Sequence, residues 1–264
     1  MNLRPFIADG DSLTFPPGST LPAHLTYWRF PIPSSYTISP PGHPNTLRLT
    51  PSALNLTALN GNYAGPAGQT FIGRRQQETL FTFTVDLEFN PSVADEEAGV
   101  SAFLTQNHHL DLAIVNLARK YATGTLPGLD SNQTGDPEEI VPHFRFRGES
   151  YVPVPKPVVV PVPPLWLGKK LTLEIKAFNS THYSFSAGPA GAQSLLKTIQ
   201  YSSNEPLSWG FTGGLTLSFL EYESDTNCWT GTLLGVYATT NGGKGSTPAY
   251  VSNWRYVAQG QFRD

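Results

Sequence analysis

The stretch Leu80–Phe89 limits the fold more than any other part of the chain. Phe81, Phe83, Val85, Leu87 and Phe89 take every second position, with Thr82, Thr84, Asp86 and Glu88 between them. Residues two apart share one face of a strand, so this pattern describes a half-buried strand of an antiparallel sheet. Leu171–Ala177 repeats it, with Leu171, Leu173, Ile175 and Ala177 set against Thr172, Glu174 and Lys176. Leu47–Leu49, Gly99–Leu104, Leu110–Val115, Tyr183–Ser186, Leu233–Tyr237 and Val251–Tyr256 read as further strands. Turn signals lie at Pro40-Pro41-Gly42-His43-Pro44 and Asn60-Gly61-Asn62, and the chain holds 24 Gly and 24 Pro. Many short strands separated by turn residues predict an all-β sandwich or jelly roll with few helices.

Residues 1–20, ending in Phe15-Pro16-Pro17-Gly18, read as a leader or linker. Tyr27-Trp28-Arg29-Phe30 then begins the sandwich, and 21–264 reads as one domain, a length that all-β sandwiches reach without dividing. Arg119–Pro142 is polar and rich in Gly, Asp and Asn, which predicts a long surface loop. Tyr151–Pro164 alternates Val and Pro; proline cannot donate to a ladder, so this segment belongs at a sheet edge or in polyproline II. Charged residues are 14% and the net charge is −3, so no basic face exists to hold phosphates and nucleic acid is not an expected partner. No run approaches the ~18 apolar residues of a membrane span. The single cysteine, Cys228, excludes an internal disulfide. The start Met1-Asn2-Leu3-Arg4-Pro5-Phe6 lacks an apolar signal core, which points to the cytoplasm for the chain as written, or to secretion if the N-terminus is truncated. The sequons at Asn55, Asn132 and Asn179 are then expected to be unused.

Four constellations could carry chemistry. Asp95-Glu96-Glu97 follows Asn90-Pro91-Ser92 at a turn. Neighbours on a strand point to opposite faces, so Glu96 and Glu97 do not converge on one bond, and a solvated turn is expected. In His108-His109-Leu110-Asp111, His109 and Asp111 share a face. Two ligands on one strand need others from elsewhere, and His143 and His182 are isolated, so a structural role is expected ahead of a metal site. Arg74-Arg75-Gln76 offers forked donors for sugar hydroxyls or a carboxylate; the competing expectation is pairing with Asp86, Glu88 or Glu97. Trp28, Trp166, Trp209 and Trp254, with Tyr27, Tyr63 and Tyr183, are sugar-stacking candidates, set against burial in the core. No nucleophile elbow or Gly-rich phosphate loop is present.

The wording of several segments carries a resemblance. Phe71-Ile72-Gly73-Arg74-Arg75-Gln76, the strand at Leu80–Phe89, Glu96-Glu97-Ala98-Gly99-Val100 and Asn107-His108-His109-Leu110-Asp111-Leu112 resemble the C-terminal, concanavalin A-like domain of fungal family 43 glycoside hydrolases. So do Tyr237-Ala238-Thr239-Thr240-Asn241-Gly242-Gly243, Thr247-Pro248-Ala249-Tyr250 and Asn253-Trp254-Arg255-Tyr256. The resemblance runs from about Ser12 to Asp264. It implies a jelly-roll sandwich of two antiparallel sheets, accessory to a five-bladed propeller that carries the catalytic carboxylates of a β-xylosidase or α-L-arabinofuranosidase. The implied partners are that propeller and a xylo- or arabino-oligosaccharide. Only a short leader precedes the domain here, so the chain reads as the accessory half without its catalytic half, and no catalytic residue is carried over. The family places a Phe from this domain in the sugar pocket, and Phe211 matches it. Arg74, Arg75, Gln76, His109, Asp111, Trp28 and Trp209 are the sugar-binding candidates. No cofactor is expected; a structural calcium ion stays open as an alternative that nothing in the sequence indicates. The alternatives are a free-standing carbohydrate-binding module and an independent enzyme reusing the concave face of the sandwich.

One segment departs from the family. Trp209-Gly210-Phe211-Thr212-Gly213 should run directly into a Gly-Thr-Leu-Leu-Gly-Val-Tyr strand, but Thr212-Gly213 recurs as Thr230-Gly231. Removing the 18 residues Gly214–Gly231 restores a continuous Phe-Thr-Gly-Thr-Leu-Leu-Gly. The segment reads as a translated intron, with codons able to supply a GT donor, an ACTAAC branch point at Thr226-Asn227 and an AG acceptor. The competing expectation is a true loop or hairpin, since Leu215–Tyr222 alternates like a strand and loops tolerate insertion.

Overall fold

The computed structural model describes residues 10–59, 68–126, 135–208 and 231–260. Besides short 3-10 turns, fourteen strands and one α-helical turn follow in order: β1 Asp11–Leu13, β2 Tyr36–Ile38, β3 Leu47–Leu49, β4 Thr70–Arg75, β5 Leu80–Glu88, β6 Glu97–Thr105, β7 His108–Ala118, β8 Ile140–Glu149, β9 Val158–Pro161, β10 Leu171–Ala177, β11 His182–Pro189, β12 Lys197–Ser203, α1 Glu205–Ser208, β13 Leu233–Thr239 and β14 Ala249–Gly260. They form two antiparallel sheets. The eight-stranded sheet runs β12-β11-β10-β5-β14-β3-β2, with β1 also on β14. The six-stranded sheet runs β4-β13-β6-β7-β8-β9.

The alternation in β5 and β10 does what the pattern predicts. Phe81, Phe83, Val85 and Leu87 turn inward with Leu171, Leu173 and Ile175. They meet Ala98, Val100, Leu110, Leu112, Phe144, Phe146, Leu234 and Val236 of the other sheet in one core. Each buried Leu, Val or Phe contributes about 1.5–3 kcal/mol, so this layer dominates stability. Trp254, Tyr183 and Trp166 belong to the same core. Those three sugar-stacking candidates are therefore packing residues.

The sequence reading needs correction at several places. Asp11–Leu13, within the stretch read as a leader, pairs with Trp254–Tyr256, and Phe15 is buried. Tyr27–Phe30 forms no strand. Thr26 makes a single bridge to Gly73, and Phe30 is 91% exposed. The expected loop at Arg119–Pro142 ends three residues early, because Ile140–Pro142 already pair with Asn116–Ala118. The Val-Pro stretch does run at an edge, as β9 beside β8. β2, β4, β8 and β12 are not among the strands expected from the sequence. β4 is buried on both faces and β12 is a half-buried edge, so neither shows one apolar face set against one exposed face.

The six-stranded sheet differs from the expectation of half-burial. β6, β7 and β13 are buried along nearly their whole length on both faces. Leu56, Phe71, Phe103, Ala113, Leu233 and Tyr237, with Trp28 packed on them, form a second small core on the outer face. The carboxylates of that face are thus sealed from water, while Arg145 and Arg147 are half-buried.

Candidate functional site

Inward packing of the core residues of β6, β7, β8 and β13 sends the alternate residues to the outer face of the six-stranded sheet. There Ser101 lies opposite Asp111, and Asp111 lies opposite Arg147. Asp111 Oδ1 accepts a hydrogen bond from Ser101 Oγ at 2.6 Å. Its Oδ2 lies 2.9 Å from His109 Nδ1 and 3.3 Å from Arg147 Nε. One strand row away, Glu97 accepts from Tyr237 Oη at 2.6 Å, from Asn241 Nδ2 at 2.8 Å and from the Arg145 guanidinium. Tyr237 and Arg145 flank Gly99 and Ala113 in the pairing. A Cβ on Gly99 would stand 2.5 Å from Ala113 Cα, so only glycine lets β6 and β7 lie this close. These small residues leave room for Tyr237 and Arg145 to lean toward one carboxylate.

The electrostatics are balanced. Burial pushes the Glu97 carboxyl up, but Arg145, Arg147, Tyr237 and Asn241 outweigh it and hold the group below its usual range. Asp111 is likewise depressed against its own burial, by His109, Arg147 and Ser101. Two buried, ionised carboxylates face two half-buried guanidinium groups, the arrangement in which a buried charge is tolerable. A glycosidase needs one carboxyl kept protonated as the acid. Neither Glu97 nor Asp111 meets that need. Among the described residues no three His, Cys, Asp or Glu side chains gather as a metal set.

The structure divides the remaining sequence candidates. His109 and Asp111 do share a face and touch, as the strand period required, and Trp28 packs edge-on against Phe103 at 5.1 Å. Arg74 does not pair with Asp86, Glu88 or Glu97. It turns toward the core side, binds Asp11 at 2.9 Å and stacks over Tyr256. The reason is register: β4 lies at the far edge of the six-stranded sheet, separated from Glu97 by β13. Gln76 accepts from Tyr183 Oη at 2.9 Å. Glu96 and Glu97 are not solvated, each being 1% exposed. Glu96 accepts from the backbone N–H groups of Ser92, Val93 and Thr247 and from Thr247 Oγ1, which hold it low despite burial. The two carboxylates do point apart. Arg145, Arg147, Tyr237 and Asn241 escaped the sequence reading. The alternation His143-Phe144-Arg145-Phe146-Arg147 was the available signal for the arginines.

A second place of interest is one end of the sandwich. Gln76 N–H donates to Thr232 O, and Thr232 Oγ1 donates to Leu207 O at 3.4 Å. Gly231 lies against the Arg75 side chain. The described residues on either side of 209–230 therefore lie together, beside Arg75 and Gln76. Trp209, Phe211, Tyr63, Cys228 and 214–230 of the expected insertion lie outside the described residues.

Comparison with known proteins decides the family. Residues 14–257 match the family described as the beta-xylosidase C-terminal concanavalin A-like domain. This chain belongs to that family. Among solved structures, the family 43 C-terminal domain resembles the Bacteroides ovatus xyloglucan PUL GH43B, with a TM-score of 0.61 and 24% identity over 94% of this chain and 38% of that one. It also resembles the GH43 protein BlXynB of Bacillus licheniformis, with a TM-score of 0.60 and 19% identity over 90% and 37%. A third is a GH43 glycoside hydrolase engineered to display both endo-xylanase and exo-arabinofuranosidase activity, with a TM-score of 0.58 and 12% identity over 94% and 40%. At these identities the likeness establishes the fold, and the C-terminal domain spans about two fifths of each structure. No curated protein matches the chain.

Proposed function

We propose that this domain docks on a family 43 catalytic propeller and completes its sugar pocket with Phe211, without hydrolytic activity of its own. The implied substrates are xylo- or arabino-oligosaccharides. The observation that supports this reading most is the meeting of Leu207, Thr232, Arg75 and Gln76 at one end of the sandwich. Leu207 and Thr232 are buried and joined by a hydrogen bond, and a fixed base of this kind is what positioning an aromatic group in a partner's pocket requires. The Glu97–Asp111 network supports the same base from the sheet behind it. With both carboxylates ionised and saturated by donors, it stiffens the sheet and offers no acid.

The test is reconstitution. The chain is mixed with, or fused to, a family 43 propeller lacking its own sandwich, and hydrolysis of aryl xylosides and aryl arabinofuranosides is followed. The domain alone should be inactive. Its addition should raise kcat/KM, and Phe211→Ala should remove at least about tenfold of that gain. A version lacking Gly214–Gly231 should complement better than the full chain, because the loop then starts and ends in register. A propeller indifferent to the domain, or equally active with Phe211→Ala, would rule the proposal out.

A further inference from the structure

The polar face of the eight-stranded sheet carries a cleft that the propeller reading does not use. Its floor is Thr84 and Asp86 of β5 with Thr172 of β10, and its volume is about 230 Å³. One wall is the turn after β11, from which Gln193 projects; the other is Asn253 and Arg255 of β14. Both walls are built by local exceptions to regular strand geometry. Gly188 lets the Leu195–Leu196 turn fold down on β11, since a Cβ there would stand 2.9 Å from Leu196 Cα. The pairing of β14 with β5 slips between Ser252 and Arg255, and Asn253 at φ 48° absorbs the slip. Bulges of this kind re-aim side chains. Here the slip leaves Asn253 and Arg255 exposed on either side of the buried Trp254.

The groups in the cleft are oriented. Asp86 accepts from Thr172 Oγ1 at 2.5 Å and from Asn253 Nδ2 at 2.7 Å, one bond to each carboxylate oxygen. Each oxygen keeps further acceptor capacity. Glu174, across the ladder from Thr84, is buried; burial raises its carboxyl, against the pull of Lys176 and a hydrogen bond with Gln193. Gln193 is thereby tethered to the sheet. Arg255 has no ion-pair or hydrogen-bond partner among the described residues. Ser252, opposite Asp86 in the ladder, is 7% exposed, and its buried hydroxyl has no partner among them either.

We propose that this cleft is a binding site for one neutral sugar ring, recognised through vicinal hydroxyls by Asp86, Asn253, Arg255 and Gln193. The chemistry favours a neutral ligand, because the single carboxylate is matched by the single unpaired guanidinium. It favours hydroxyls, because the lining offers fixed acceptors and free donors side by side, and a hydroxyl both donates and accepts. At ~30 Å³ per water the space holds about eight waters, which suits one ring and not a bundle of chains. Among the described residues no aromatic side chain lines the cleft. Recognition therefore rests on hydrogen bonds alone, and affinity is expected to be modest, with Kd on the order of 1 mM. The choice of probe sugars rests on the family; the site itself does not depend on the propeller.

The test is a titration of the full 15N-labelled chain with xylotriose and, separately, with arabinotriose. Saturable amide shifts are expected at Thr84, Asp86, Thr172, Gln193 and Asn253 with at least one of the two. Arg255→Ala and Gln193→Ala, both surface substitutions, should weaken binding about tenfold or more while the spectrum stays dispersed. The inference fails if neither sugar moves these amides at about ten times the expected Kd. It fails equally if the shifts map to the six-stranded sheet, or if Arg255→Ala binds unchanged. None of these results touches the propeller proposal, which is read by hydrolysis and by Phe211.

Discussion

At the scale of single residues, Glu97 shows how a charged group comes to be placed under a sheet. Its carboxylate is held by a phenol, an amide and a guanidinium from three other segments. Removing the charge strands Arg145. Glu97→Gln is therefore expected to cost about 3 kcal/mol in urea unfolding. Tyr237→Phe removes one charge-assisted hydrogen bond and should cost about 2 kcal/mol. A Tyr237→Phe variant as stable as the parent would show that the hydroxyl does not support the carboxylate. Part of this was legible in the sequence. The strand period put His109 beside Asp111, and the pair is 2.9 Å apart. The burial of Glu96 and Glu97 was not legible, because an acidic triplet after a Pro-containing turn looks solvated. What buries it comes from residues about 50 to 150 positions away, Arg145, Asn241 and Thr247. No local pattern announces such partners.

At the scale of elements, β5 and β10, and also β6, β7 and β13 despite burial on both faces, are legible as strands, while β2, β4, β8 and β12 are not. β10 matches its expected bounds, and β5 falls one residue short of them. The edge position of β9 followed from proline chemistry alone. β4 was missed because Thr70–Arg75 packs on both sides, with Arg74 turned inward to Asp11. Two tests belong here. Gly99→Ala forces a methyl group into β7 and should destabilise the domain by about 1–3 kcal/mol, seen as a lower Tm with unchanged far-ultraviolet circular dichroism. Deleting Gly214–Gly231 leaves five residues between Ser208 and Thr232. Leu207 and Thr232 already touch, so the shorter loop closes without strain. The deletion should leave the fold intact and raise stability by about 1 kcal/mol through loop entropy. A deletion variant that fails to fold would show that the segment is integral to the sandwich.

For the molecule as a whole, the depressed carboxyls set an acid limit. Glu96, Glu97 and Asp111 all titrate lower in the folded chain than their ordinary values. Burial also lowers His108 and His143. In every case the unfolded chain binds protons first as pH falls, so stability rises with pH across these windows. The urea midpoint should decline below about pH 6.5 as the histidines protonate in the unfolded chain, and fall more steeply below about pH 4.5. Glu174, whose carboxyl is raised, works in the opposite direction and blunts the second slope. A flat profile between pH 7 and pH 3 would contradict the network described here.

β14 is the last described strand of the chain, yet it lies inside the eight-stranded sheet, between β5 and β3. During synthesis, Phe81–Leu87 and Leu47–Leu49 must wait for Ala249–Gly260 before their hydrogen-bonding edges are covered. At ~5–20 residues per second the interval between making β5 and making β14 is about 8 to 35 seconds. Throughout it the nascent chain displays two open strand edges rich in Phe, Val and Leu. The domain's yield in a foreign host should therefore depend on chaperone capture on the ribosome more than on the stability of the finished sandwich.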